Sequence, residues 1–590
     1  MVDLRANPYF LSDEDITWVE RTIAGMTDEE KVGQLFFQLT SGITEEYLSE
    51  LMNKYHLGGI RYNGMPGAYV LEHNRILQKH AKIPVLIASN PEGGGDGACP
   101  DGTYVGSGIK IGATRNRDYA KALGRVSGAQ AATIGCNMAF APVCDILYNW
   151  QCTEVVTRSF GTDADRVADF SLAYLEGAHE TAHFACAAKH FPGNGQDFRD
   201  AHQSNNNNYF GKEEWMQTYG HVYKTLIDGG VEAIMGGHIL MPTYMNEVYP
   251  GIDPHKILPA TLCPEIMTGL LRDELGFNGM VVTDASHMVG MTCAMKREDM
   301  LPASINAGCD MFLFFNDPEE DFAIMLNAYK TGIISEERMV EALTRILGTK
   351  AHMGLHNCTV EELVPSAANV QSVLHNSEFK AYAENISRDA LTLVKYTQEG
   401  MLPISPEKTR KVMIVHIKGA ETPMSIMTKL ALGQMNQKNP AEVLRDKLIE
   451  KGFDAFIYVS PIEAIKAQLA RGEKPDFNVY LAGKSAIADF KEQQDLVITL
   501  CNVDTGRPVF GVSKGGGEIP WYCHEVPTIA VSVASPTVLS ELPMVSTYIN
   551  AYDSKPHTMD ALVEALLTGP QAFKGQDPID SFCGLWDAHL

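Results

Sequence analysis

Eight short apolar runs, each followed by a helical stretch, constrain this chain more than any single motif. They are Leu35–Gln38, Gly59–Asn63, Pro84–Ser89, Asn137–Val143, Ala185–Ala188, Ala233–Gly237, Gly279–Thr283 and Asp310–Phe315. A strand buried on both faces of a parallel sheet reads as continuous apolar sequence, and alternation with helices makes βαβ units. Eight such units within about 350 residues predict a (β/α)₈ TIM-type barrel with insertions. Several runs end on polar residues: Asn63, Asn90 and Glu92, Asp145, Lys189 and His190, His238, Asp284, Asn316. A parallel barrel gathers such ends on one rim, the face that carries chemistry.

The N-terminal approach reads as helical over 13 to 40, with Thr27-Asp28-Glu29-Glu30 as a capping signal. Residues 1–353 are assigned to the barrel and 354–376, which lack a clear period, to a linker. A second α/β pattern fills 377–590. Its predicted strands are Lys411–His416, Ala455–Val459, Asn478–Leu481, Asp495–Leu500, Val509–Val512, Thr528–Val533 and Val545–Ile549, closed by a helix over Met559–Leu566. The expected fold class is therefore α/β: a barrel followed by an αβα sandwich with a mostly parallel open sheet.

A net charge of -25 over 590 residues argues against nucleic acid or an anionic membrane as partner. The N-terminus lacks a basic patch followed by an apolar core, and no stretch approaches the ~20 apolar residues of a membrane span. Twelve cysteines are scattered singly, with no C-x-x-C pair, which favours free thiols in a reducing cytoplasm.

The segment Lys189–His202 is the richest in chemistry. It leaves a buried run, breaks at Pro192, Gly193 and Gly195, and carries Lys189, His190, Asp197, Arg199, Asp200 and His202. Asp200 and His202, two apart in an extended loop, would project to one side, so the carboxylate could fix the imidazole's tautomer and favour its protonated form. As an isolated pair this reads more readily as solvated loop charge. Asp284 at a strand end is a candidate nucleophile or metal ligand, and otherwise a helix N-cap. Lys189, His190 and Arg158 are donors suited to hydroxyls of a polar substrate. The loop Pro91–Ala98 is Gly-rich but lacks the Gly-Lys-Ser/Thr of a phosphate loop.

Taken together these residues resemble glycoside hydrolase family 3, in its bacterial β-N-acetylhexosaminidase subgroup. The resemblance runs in order through Met26–Leu35, Ala141–Asp145, Arg158–Gly161, Lys189–Gly193 with Asp200–His202, Pro259–Leu262, Leu275–Asp284 and Arg388–Val394. It implies a retaining exo-β-glycosidase. In that reading Asp284 attacks the anomeric carbon, and His202, oriented by Asp200, protonates the leaving oxygen and then activates water. Lys189, His190 and Arg158 would hold sugar hydroxyls, with Asp145, Asn90 and Glu92 at the same site. A histidine base repels an incoming anion less than a carboxylate does, so a β-N-acetylglucosaminide phosphorylase is the alternative.

Three positions depart from the family pattern. Asn90 stands where an aspartate is usual, Ala98 where an arginine is, and Asn194 where the second histidine of Lys-His-Phe-Pro-Gly-His-Gly is. These imply changed sugar specificity, or on a rival reading a non-catalytic sugar-binding protein. A second rival is a metal-dependent hydrolase using His190, His202, His238 and Asp284. The leading reading requires no cofactor and no metal. It takes a small glycoside or oligosaccharide as partner, with no nucleic acid or membrane, and leaves a homodimer open.

Overall fold

A computed structural model describes residues 2–40, 42–419, 438–475, 486–503 and 520–590. The chain divides into two compact units. One comprises Met1–Gly108 with Asn116–Tyr382, the other Ile109–Arg115 with Ala383–Leu590.

The first unit is a closed eight-stranded barrel. Its strands are β1 (Phe36–Thr40), β2 (Gly59–Tyr62), β3 (Leu86–Ser89), β4 (Met138–Ala139), β5 (Ala185–Phe191), β6 (Ala233–Gly236), β7 (Met280–Ala285) and β8 (Met311–Leu313). Each pairs in parallel with its neighbours in sequence, and β8 closes on β1 through Phe36 opposite Phe312. Strands β3, β5 and β6 are buried along their whole length. That is why the sequence shows apolar runs and not alternation. The barrel floor is approached by two capped helices. Thr27 Oγ1 accepts from the Glu30 N–H at 3.2 Å while Glu30 Oε2 accepts from the Thr27 N–H at 2.9 Å, the reciprocal box its sequence announced.

Two expectations are corrected here. Strand β5 does not stop at Ala188; it runs on through Lys189 and His190 to Phe191. Both residues lie in the barrel wall, 3% and 4% exposed, and they can do so because each has an acidic partner. The expected linker over 354–376 is folded. It carries helices Val360–Leu363 and Ala367–Leu374, and Gln130 Nε2 donates to the carbonyls of Val373 and Leu374 at 3.0 and 3.1 Å. Asn206–Asn207 forms a short parallel ladder with Ile239–Leu240.

The second unit is built on a six-stranded sheet of β9 (Thr392–Tyr396), β10 (Lys411–Lys418), β11 (Asp454–Ile457), β12 (Leu496–Asn502), β13 (Thr528–Ser532) and β14 (Thr547–Asn550). The order is β9-β14-β13-β12-β10-β11, parallel except for the edge strand β9, which runs antiparallel to β14. Sequence reading did not foresee β9 as a strand. The expected strands at 478–481 and 509–512 lie outside the described residues. Two apolar clusters, one around Val412, Leu444, Ile498 and Leu562 and the other around Val415, Phe490, Val497 and Tyr548, cover the sheet.

Candidate active site

Parallel closure brings the ends of β3, β5 and β7 and the residues after β4 and β6 to one rim. At its centre Asp284 closes β7, with its side chain 16% exposed. Asp284 Oδ1 accepts from the Ala285 N–H at 2.7 Å, and Oδ2 lies 4.0 Å from His190 Nε2. Burial alone would raise its pKa. His190, His238, the Ala285 N–H and Lys189 outweigh that and hold the carboxyl below its ordinary 3.8.

A charge cluster on β5 and the loop after β3 sets this environment. Arg158 grips Glu92 with both arms of its fork, Nε to Oε2 and Nη2 to Oε1, each at 2.8 Å. Lys189 Nζ reaches the same Glu92 Oε1 at 2.6 Å. Two cations on one carboxylate leave one positive charge beside Asp284. The pKa of Glu92 is pushed up by burial but held far below the usual carboxylate range by Arg158 and Lys189. Burial drives the Lys189 pKa down, and Glu92 offsets part of that. Asp145, fully buried, accepts from His190 Nδ1 at 2.7 Å and from the backbone N–H groups of His190 and Asn194 at 3.2 and 2.7 Å. That contact takes the Nδ1 proton and turns Nε2 toward Arg158 Nη2, 3.4 Å away, and toward Asp284.

The opposite wall is the loop after β5. Asp200 Oδ1 accepts from both the backbone N–H and the Nδ1–H of His202, each at 2.8 Å. The imidazole is 53% exposed, so its Nε2 edge is accessible. Asp200 is the main cause of a raised His202 pKa. Burial opposes it, and Glu154 and Asp284 add to it. The loop is tied to β7: the Gly290 N–H donates to the Ala201 carbonyl at 2.9 Å, and Ala201, Ala285 and Met288 form one apolar cluster with Phe314.

The structure thus brings Asp284, His202, Asp200, Lys189, His190, Arg158, Asp145, Asn90 and Glu92 to one unit and one rim. His238 belongs to the wall. Its Nε2 faces the Ala285 carbonyl at 3.1 Å and its Nδ1 faces Thr261 Oγ1 at 2.8 Å, so neither nitrogen is left for a metal. Donor atoms of Glu154, Asp200 and His202 lie within 4.8 Å of one another. Within this group the imidazole Nδ1 is engaged with Asp200 Oδ1. Sequence reading missed Glu154. Its one signal was a single acidic residue in the otherwise uncharged stretch between Asp145 and Arg158.

The three departures have distinct fates. Ala98 is buried, and its carbonyl accepts from Tyr62 Oη at 2.7 Å. Asn194 donates to Glu154 Oε2 at 2.9 Å and accepts from the Gly195 N–H and Asn206 Nδ2. Asn90 Oδ1 is buried with no hydrogen-bond partner among the described residues.

An ionised carboxylate and a proton-bearing imidazole on one rim can attack and protonate a bond placed between them. Residues 27–349 match the model of the glycosyl hydrolase family 3 N-terminal domain. A Cellulomonas fimi protein named beta-N-acetylglucosaminidase/beta-glucosidase is 37% identical over 595 residues, covering 100% of both chains. A solved structure of the beta-glucoside phosphorylase BglX is 33% identical, with a TM-score of 0.87 over 99% of each chain. A family 3 beta-N-acetylglucosaminidase structure from Paenibacillus shares the fold, at 24% identity and a TM-score of 0.76 over 94% of this chain and 99% of its own. With the barrel, the second α/β unit and the matched residues in agreement, the chain is a glycoside hydrolase and belongs to glycosyl hydrolase family 3.

Proposed function

We propose that this enzyme is a retaining exo-β-glycosidase that removes a terminal β-N-acetylglucosaminyl or β-glucosyl residue. The observation that carries the reading is the backbone tie between Gly290 and Ala201, which keeps the segment bearing His202 on the same rim as Asp284. Asp284 Oδ2, the oxygen not held by the Ala285 N–H, attacks the anomeric carbon as the glycosidic C–O bond breaks. His202, with Nδ1 held by Asp200, passes its Nε2 proton to the leaving oxygen. The neutral Nε2 then takes a proton from water, whose oxygen displaces the sugar from Asp284. Lys189 and Arg158, anchored by Glu92, present donors to the sugar, His190, with Nδ1 held by Asp145, turns Nε2 to a sugar hydroxyl, and the unpartnered Asn90 Oδ1 offers an acceptor to a hydroxyl or an amide N–H.

A second reading has its own support. The likeness to BglX spans 99% of both chains, and that protein is named a phosphorylase. A neutral imidazole base does not repel a phosphate dianion as a carboxylate would. In that case phosphate oxygen replaces water and the product is a sugar 1-phosphate.

All twelve cysteines are free thiols, which supports a reducing, cytoplasmic setting. No helix among the described residues is long and apolar enough to cross a membrane. The test is a panel of aryl β-glycosides (N-acetylglucosaminide, N-acetylgalactosaminide, glucoside) with and without inorganic phosphate, with the released sugar analysed. Free sugar of retained β-configuration supports the hydrolase, and sugar 1-phosphate the phosphorylase. No turnover on any member rejects both.

A further inference from the structure

Glu154 is a buried acidic group beside the proposed acid/base that the steps above leave unused. Its side chain is 4% exposed, and among the described residues no lysine or arginine side chain pairs with it. An ionised carboxyl held this way is costly unless its oxygens are well used. They are. Oε2 accepts from Asn194 Nδ2 at 2.9 Å and from the Ala201 N–H at 3.3 Å, and Oε1 lies 3.9 Å from His202 Nδ1. One carboxylate therefore touches both ends of the segment that carries Asp200 and His202.

We propose that Glu154 is the positioning residue of the acid/base: it clamps the 194–201 segment and sets a second negative charge beside the His202 imidazole. The inference rests on His202 as the acid/base of the proposed reaction. The imidazole is faced by Asp200 on its own loop, by Glu154, by Asp284 and His287 at the end of β7, and by His238 after β6. The three carboxylates favour its charged form and the two histidines oppose it. Burial raises the pKa of Glu154 itself. Asp200 and Asp284 add to that while His190 and Arg158 act against it, as befits a group in a crowded acidic corner. Asn194 completes the clamp, because an amide N–H there donates to Glu154 without adding charge.

The test separates charge from shape. Glu154→Gln keeps an oxygen for Asn194 and Ala201 and removes the charge. The His202 ring signal, identified by its loss in His202→Gln, is titrated by NMR in both backgrounds. Glu154→Gln is expected to lower the imidazole midpoint by about one pH value, and to move the alkaline limb of kcat/KM for phenyl β-N-acetylglucosaminide the same way. Glu154→Ala loses the clamp too, and its kcat should fall about tenfold below that of Glu154→Gln. If the ring midpoint moves but the kinetic limb does not, the pairing stands and the acid/base assignment of His202 falls. An unmoved midpoint overturns the proposal. So does a Glu154→Ala variant that loses thermal stability while matching the kcat of Glu154→Gln.

Discussion

Gly290 donates its backbone N–H to the carbonyl of Ala201, the residue before His202, at 2.9 Å. Asp284 lies six residues upstream on the same segment, so one hydrogen bond links the two halves of the proposed chemistry. The approach leaves little room for a side chain. A Cβ at this position would sit 3.0 Å from the His238 carbonyl oxygen, 3.1 Å from His238 Cβ and 3.3 Å from the Ala201 carbonyl oxygen. Gly290→Ala should therefore push the His202 segment outward. We expect kcat on aryl glycosides to drop about tenfold to a hundredfold, with thermal unfolding little changed. Unaltered kcat would remove the tie from the catalytic argument.

Substitution of the two proposed reacting groups should give different signatures. Asp284→Asn should lose turnover of every glycoside by about 10⁴-fold or more. His202→Ala should slow a phenyl glycoside by about 10²- to 10⁴-fold and a dinitrophenyl glycoside far less in the first step, because only the poor leaving group needs a proton. Equal losses on both substrates would count against proton donation by His202.

The pH profile of the unaltered enzyme follows from the direction of two shifts. Asp284 must be ionised to attack, and its pKa is held below 3.8, so the acid limb belongs below that value. His202 must be protonated to donate, and Asp200 raises its pKa above 6.5, so the alkaline limb belongs above that value. We expect kcat/KM for a phenyl glycoside to fall as pH rises through the raised His202 pKa. An alkaline limb at or below 6.5 would contradict the dyad.

Lys350 makes a separate prediction about stability. It is fully buried in the helix Glu336–His352, and Nζ donates to Gln34 Oε1 at 2.7 Å. Burial brings its pKa from 10.5 down to about 7. The folded value is the lower one, so folding releases a proton between these limits. The contribution to stability is full above 10.5, declines as pH falls, and is lost as pH passes down through about 7. Relative to Lys350→Met, the native protein should gain stability with rising pH, approaching about 1.4 kcal/mol per pH unit between 7 and 10. A flat difference in denaturant unfolding would show that the ammonium is solvated.

Much of the site was legible in the chain because its groups stand where apolar runs stop. Asp284 ends Met280–Thr283, and His190 and Asn90 follow runs that have to be strands. Asp200 and His202 declare their contact by spacing, since a side chain two residues back can reach both the N–H and the ring of the second. Lys189 and His190 were placed one step too far out, in a loop. Polar residues of this kind are mostly found at the surface, and it is the partners, Glu92 for Lys189 and Asp145 for His190, that allow their burial.

Left to itself, the sequence determined the barrel and its working face, because a strand covered on both sides must be apolar without interruption and parallel closure collects the ends. Tertiary structure alone decided the pairings: Glu92 with Arg158 and Lys189, Glu154 with Asn194 and His202, Gly290 with Ala201. The reason is range. These contacts are made at hydrogen-bond or near-contact distance between segments dozens of residues apart, and periodicity along a chain says nothing about which distant side chain comes to rest beside it.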